Sequence, residues 1–178
     1  MNSLKEDLIR LNEFLKSDSM TIDFVYTNMD PFFLRHFCKI LRKTFYNKIS
    51  GFVSIIQRYM VFSGIKQSIY RTLRVKIGKH TYFGPFVSFD PNFPDLIEIG
   101  DHVIISPESK FLTHEISHNK LRIGRIKIGN NVIIGFNSII KCGITIGNNA
   151  EIGVGSVVYK DVPENCIAIG NPARIIKK

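Results

Sequence analysis

The chain has 178 residues, 44% of them apolar, which is enough for one domain, or a domain with an appendage, and too apolar for disorder. Its three cysteines, Cys38, Cys142 and Cys166, form an odd, widely spaced set with no disulfide framework or zinc spacing, which suits a reducing cytoplasm. The net charge of +9 is uneven: Pro31 to Phe89 contains no Asp or Glu but carries Arg35, Lys39, Arg42, Lys43, Lys48, Arg58, Lys66, Arg71, Arg74, Lys76 and Lys79. Such a block suits a polyanion, an anionic membrane surface or an acidic glycan, and does not choose among them.

The first residues, Met-Asn-Ser-Leu-Lys-Glu-Asp, are too polar and acidic for a signal peptide, and there is no apolar run long enough for a transmembrane helix. Residues 3–16 read as an amphipathic helix, with Ser3 and Glu6 at capping-box spacing and Leu4, Leu8, Leu11 and Leu15 on one face. Residues 17–29 read as a connector. Asp30-Pro31 then reads as a helix start, with Phe32, Phe33, Phe37, Ile40, Leu41 and Phe45 as an aromatic face. A second helical stretch runs from Gly51 to Leu73, with Gly64 as its expected break. Residues 1–72 are therefore expected to be a helical region. It is expected to cap the open end of the fold that follows and to offer a basic face to an anionic membrane.

From Val75 the period changes to six. Ile77, Phe83 and Phe89 lead the first hexads, Ile99, Ile105 and Phe111 the next, and Ile128, Ile134, Ile140, Ile146, Ile152 and Val158 the last. A small or apolar residue follows four positions later, as at Val132, Ser138, Ile144, Ala150 and Ser156. A six-residue period fits a short flat strand and a tight corner, three of which close one turn of a parallel β-helix. The period fails twice. Four residues are inserted around Asp90-Pro91-Asn92-Phe93-Pro94-Asp95, and an excursion at about 112–125 carries His114, Glu115 and His118. Excursions from a rigid scaffold tend to carry function. The expected architecture is mainly β: a parallel β-helix at 73–170, with an α-helical N-terminal segment at 1–72 and a basic tail at 171–178.

The hexads, the His114 loop and the ending Ile152-Gly-Val-Gly-Ser-Val-Val-Tyr-Lys-Asp-Val-Pro-Glu-Asn, then Gly170-Asn-Pro-Ala-Arg, together resemble the hexapeptide-repeat acyltransferases. The likeness is closest to the branch of galactoside, maltose, nodulation-factor, capsule and O-antigen sugar O-acetyltransferases. It covers Val75 to Lys178. It implies a left-handed parallel β-helix, an exception to the right-handed crossover rule. It further implies a homotrimer with active sites between subunits, acetyl-CoA as cosubstrate, a saccharide acceptor, and no metal or nucleic acid.

His114 matches the family's catalytic His. An acceptor hydroxyl needs a base near neutrality to become nucleophilic, and direct transfer then needs no acyl-enzyme. Lys160 and Arg174 match the basic residues of the family's Lys-Asp-Val-Pro and Pro-Ala-Arg elements, placed for the phosphates of coenzyme A. Lys177 matches a further basic position. Tyr159 stands where the family has Thr, Val154 where it often has Ala beside the pantetheine arm, and Phe136 where a main-chain amide faces the thioester. On the acceptor side, Phe86 lies near the position of an Asn in the galactoside and maltose branch, which argues against those two acceptors. Asp90, Asp95 and His118 are the acceptor-binding candidates, and Glu115 a candidate for orienting an imidazole. The basic N-terminal region suggests a capsule, O-antigen or lipid-linked glycan precursor, handled in the cytoplasm at the inner face of the membrane. A serine acetyltransferase is a rival that would bring an Asp–His pairing, for which the sequence offers no evidence. A streptogramin-type acetyltransferase shares the catalytic plan. A γ-class carbonic anhydrase or a polyanion-binding module is more remote.

Overall fold

The computed structural model describes residues 4–25 and 63–178. The expected helix starts at Ser3 and Asp30-Pro31, the aromatic face from Phe32 to Phe45, and the first part of the Gly51–Leu73 stretch lie outside these residues.

Three parallel sheets form the faces of a left-handed β-helical prism. The first face holds β2 (Lys76–Ile77), β5 (Ile97–Ile99), β10 (Ile126–Ile128) and β13 (Ile144–Ile146). The second holds β3 (Tyr82–Phe83), β6 (Ile104–Ile105), β11 (Ile133–Ile134), β14 (Glu151–Ile152) and β16 (Cys166–Ile169). The third holds β4 (Ser88–Phe89), β7 (Lys110–Phe111), β12 (Ile139–Ile140) and β15 (Val157–Val158). Ile128 pairs beside Ile146, three hexads on, and Ile140 beside Val158, so every third hexad returns to the same face. Apart from the half-buried Ile77, each hexad's leading residue is buried, and the companion residues Ser109, Ser138 and Ser156 are buried with it. Their hydroxyls do not go unpaired: those of Ser109 and Ser138 donate to the carbonyls of Gly135 and Gly153 on the next coil, at 3.0 and 2.9 Å.

One corner of the prism turns through left-handed residues His80, His102, Asn131, Asn149 and Asn165, all with positive φ. Asn tolerates this region better than most side chains. Its amides also continue the stacking, Asn131 donating to Asn149 and Asn149 to Asn165.

At its first two coils the prism is filled with rings. Phe83, Phe89 and Phe111 meet edge to face, with centroids 5.8 and 4.9 Å apart. The helix α2 (Ser63–Thr72) closes this end. Its Tyr70 ring lies on Phe89, and Tyr70 donates its hydroxyl to the Val87 carbonyl at 3.1 Å. Lys66, fully buried, donates to the Gly84 carbonyl at 2.8 Å, Gln67 donates to Thr81, and Ser63 accepts from the Phe83 amide. Main-chain groups that would form a bare sheet edge are thereby paired by helix side chains, as a terminal cap requires. Gly64, expected as a break, stands in the first turn of this helix, where a terminus tolerates it.

The N-terminal helix α1 (Leu4–Lys16) does a different job. After it the chain forms a strand, β1 (Thr21–Val25), where the sequence suggested a connector. β1 pairs antiparallel with β9 (Lys120–Gly124), which pairs with β8 (His114–Ser117). The excursion is thus a β-hairpin built into a three-stranded sheet. Leu11 and Phe14 of α1, Phe24, Leu121, Ile123, and the inserted Phe93 and Leu96 form a second core beneath it. Arg125, where the hairpin rejoins the prism, is buried. Its guanidinium donates to the carbonyls of Phe14, Leu15, Ser17 and Ser19 at 2.8–3.2 Å. Those acceptors lie at the C-terminal end of α1 and just past it, where carbonyls run out of intrahelical partners and a cation complements the helix dipole. The basic tail is likewise a strand, β17 (Arg174–Lys177), antiparallel to β16.

Candidate active site

The corner between the third and first faces carries the two breaks in the period. The Asp90 amide donates to the Phe111 carbonyl, that of Leu112 to Ile140, and that of Lys141 to Val158. Asp90, Leu112, Lys141 and Tyr159 therefore form one column along the prism. The insertion leaves at Asp90 and the hairpin leaves one coil later, which brings residues 24 positions apart into contact.

That contact is between Asp90 and His114. The Asp90 carboxylate is buried, and its Oδ2 takes a short hydrogen bond from Nδ1 of His114. The same oxygen accepts the main-chain N–H of Thr113 and of His114 at 3.1 and 3.2 Å, while Oδ1 accepts that of Asn92 at 3.0 Å. The His114 side chain is 21% exposed, so the ring is held by Asp90 while part of it stays accessible. Phe93 adds an edge-to-face contact at 6.3 Å. With Nδ1 donating to a carboxylate, the neutral ring presents Nε2 as an acceptor. The Thr113 hydroxyl beside it is buried without a partner among the described residues.

The other sequence candidates are placed as follows. Asp90, considered for acceptor binding, faces His114 instead of a cleft. An Asp–His pairing is therefore present, which the sequence did not reveal. Asp95 lies on the 3-10 turn Pro94–Leu96; burial pushes its carboxyl up, opposed by its own backbone hydrogen bond and by Arg74 and Arg125. His118 is exposed at the hairpin tip, four residues along the strand from His114, or roughly 13 Å. Glu115 does not reach the imidazole. It points to the opposite side of β8, where Lys141 Nζ bonds its carboxylate at 2.5 Å and Arg122 stands at 3.7 Å.

Tyr159 and Lys160 are exposed at the His114 corner, and the Lys141 ammonium lies 4.8 Å over the Tyr159 ring. Phe136 and Val154 stack on adjacent coils at a different corner, between the second and third faces, 42% and 69% exposed. The Gly155 amide donates to the Phe136 carbonyl there at 2.8 Å. Gly135 precedes Phe136 because a Cβ would lie 2.6 Å from the Ile152 carbonyl oxygen. Arg174 and Lys177 are exposed at the ends of β17, and Phe86 is 40% exposed with positive φ. One chain thus gathers Asp90, His114, Lys141, Tyr159 and Lys160 at one corner. It leaves Phe136 and Val154 across the third face. Lys141 is the member that sequence reasoning missed. Its signal was visible: Gly follows the leading aliphatic at 129, 135, 147 and 153, but Lys follows Ile140.

Residues 125–160 match the family model described as "Bacterial transferase hexapeptide (six repeats)". The chain is 42% identical over 134 residues to YvoF of Bacillus subtilis (strain 168), an acetyltransferase by name, covering 74% of this chain and 78% of YvoF. It is 42% identical over 89 residues to the galactoside O-acetyltransferase of Escherichia coli (strain K12), 46% of this chain and 44% of that one. A crystal structure of the hexapeptide-repeat acetyltransferase VCA0836 of Vibrio cholerae, complexed with acetyl coenzyme A, superposes with a TM-score of 0.64 at 26% identity. It covers 75% of this chain and 86% of that one. The protein belongs to the hexapeptide-repeat transferase family and is an acetyltransferase.

Proposed function

We propose that the protein transfers an acetyl group from acetyl-CoA to a hydroxyl of a saccharide, with His114 as general base. The observation that carries this reading is the Asp90–His114 pair: a buried carboxylate engages Nδ1 and fixes the ring, which leaves Nε2 as the basic nitrogen of the neutral imidazole. Nε2 removes the acceptor's hydroxyl proton as its oxygen attacks the thioester carbonyl. The thioester C–S bond then breaks, and the proton passes from His114 to the departing thiolate. Asp90 stabilises the imidazolium formed between these two transfers.

Acetyl-CoA would be held by Phe136 and Val154 along the pantetheine arm, by Tyr159, and by Lys160, Arg174 and Lys177 at the phosphates. Phe136 and Val154 sit at a corner that one chain keeps apart from His114 and Lys160. We therefore take the working unit to be a homotrimer in which a neighbouring copy completes each site. The acetyl coenzyme A of the Vibrio cholerae structure supports the donor, and the galactoside O-acetyltransferase supports a sugar acceptor. The acid-free basic stretch favours an acidic or lipid-linked glycan precursor, met in the cytoplasm at an anionic membrane surface. The free thiols of Cys142 and Cys166 accord with that compartment.

The Asp–His pair also favours a second acceptor. Such a pairing was the mark expected of a serine acetyltransferase, so serine belongs among the acceptors tested. Incubation with acetyl-CoA and a panel of glycan precursors, neutral sugars and serine, read by mass spectrometry, decides between them. Acetylated saccharide supports the reading. Acetylation of serine alone replaces it, and transfer to none of them refutes it.

A further inference from the structure

We propose that Lys141 is a positioning residue for the transfer reaction: it clamps the hairpin carrying His114 to the coil carrying Tyr159. The inference rests on the transferase reading above and extends it to a residue of that corner to which the reading gives no role.

Lys141 follows β12 at the corner column, between Leu112 on the coil before and Tyr159 on the coil after. Its main chain is held on one side, donating to the Val158 carbonyl at 3.2 Å. Its side chain leaves the prism and meets Glu115 of β8 at 2.5 Å, while the ammonium rests over the Tyr159 ring. Glu115 is adjacent to His114 on the same strand. Glu115 is also approached by Arg122 of β9, and Arg122 bonds Asp23 of β1 at 2.8 Å. A line of alternating charge thus runs from β1 through the hairpin to the prism, and Lys141 is its attachment on the prism side. Since Glu115 and Ser117 face away from the second core, that core does not fix this side of the hairpin.

The side chains of Lys141 and Glu115 are each about 30% exposed, so the pair adds little to global stability. Its consequence is local. A catalytic base displaced by a fraction of an ångström loses rate steeply while the fold persists. A conventional structural lysine would show the opposite balance.

The experiment uses the full chain with Lys141→Met, Lys141→Arg, Glu115→Gln and the Lys141→Met/Glu115→Gln double variant. Two readouts are taken: turnover of acetyl-CoA with the acceptor found above, and hydrogen–deuterium exchange of the amides at 114–124. The expected result is about a tenfold loss of kcat in Lys141→Met. The KM for acetyl-CoA should stay within about twofold and Tm nearly unchanged, with most of the rate restored in Lys141→Arg. The double variant should be no worse than the poorer single one, because both remove one interaction. Amide exchange at 114–124 should quicken in Lys141→Met and not in Lys141→Arg. Unchanged kcat in Lys141→Met, with active wild type, would overturn the clamp and leave the transferase reading standing. If the wild type transfers to no acceptor, the transferase reading fails separately. Exchange then decides the clamp: faster hairpin exchange in Lys141→Met supports it, and unchanged exchange overturns it.

Discussion

Asp90 and His114 meet across one step of the prism, where the carboxylate oxygen that receives Nδ1–H of His114 also receives the main-chain N–H groups of Thr113 and His114. One buried acid therefore fixes both the ring and the strand that bears it. Replacing Asp90 with Asn keeps the shape but offers an amide that matches only part of this set. We expect kcat to fall on the order of 10²- to 10⁴-fold, with acetyl-CoA binding retained. Steady-state kinetics beside circular dichroism checks it, and a folded variant within twofold of wild type would remove Asp90 from the mechanism.

The repeat made the prism legible in the sequence. Ile128, Ile134 and Ile140 sit at a strict spacing of six, and three flat sides per coil follow from that spacing alone. The ring-filled end of the prism was visible for the same reason, in Phe83 and Phe89 of the first coil and Phe111 of the second. The Asp90–His114 pair was not, because its contact depends on which corner each break leaves from, and the spacing does not show that. The strand β1 was hidden too. Thr21–Val25 is short, and its partner β9 lies about a hundred residues away, so nothing local marks it. Lys141 stands where many hexads carry Gly, as Asp90, Leu112 and Tyr159 also do, but its purpose depends on Glu115 arriving from the hairpin.

The aromatic end of the core should be intolerant of truncation. Phe111 is fully buried and packs edge to face on Phe89. Phe111→Ala leaves a cavity between coils and should destabilise the protein by about 3–5 kcal/mol. Denaturant unfolding monitored by circular dichroism measures the loss. A change below about 1 kcal/mol would mean that the coils close over the gap.

Arg125→Met should loosen the N-terminal brace. It removes a buried guanidinium from four carbonyls while keeping much of the stem, at a cost of about 2–4 kcal/mol. Amide exchange should rise in α1 and β1 and stay slow in β10–β15. Uniform change along the chain would show that α1 is not held separately through Arg125.

The buried Cys142 thiol should be inert. Burial, with the Glu115 carboxylate nearby, pushes its pKa up to about 12. An unfolded thiol loses its proton from about pH 8.5, so between that pH and about 12 the unfolded chain binds fewer protons and stability falls as pH rises. Alkylation of the native protein at pH 8 should leave the Cys142 peptide unmodified, and unfolding should expose it. Rapid native labelling at Cys142 would contradict this environment.

The central claim is that His114 moves the acceptor's proton. Its most direct test is release of the free coenzyme A thiol from acetyl-CoA in the presence of acceptor, comparing the wild type with His114→Ala. The wild type should release thiol in an acceptor-dependent way. His114→Ala should lose on the order of 10³-fold or more of this rate, with its circular dichroism and melting temperature unchanged. Equal thiol release by a folded His114→Ala variant would contradict that claim.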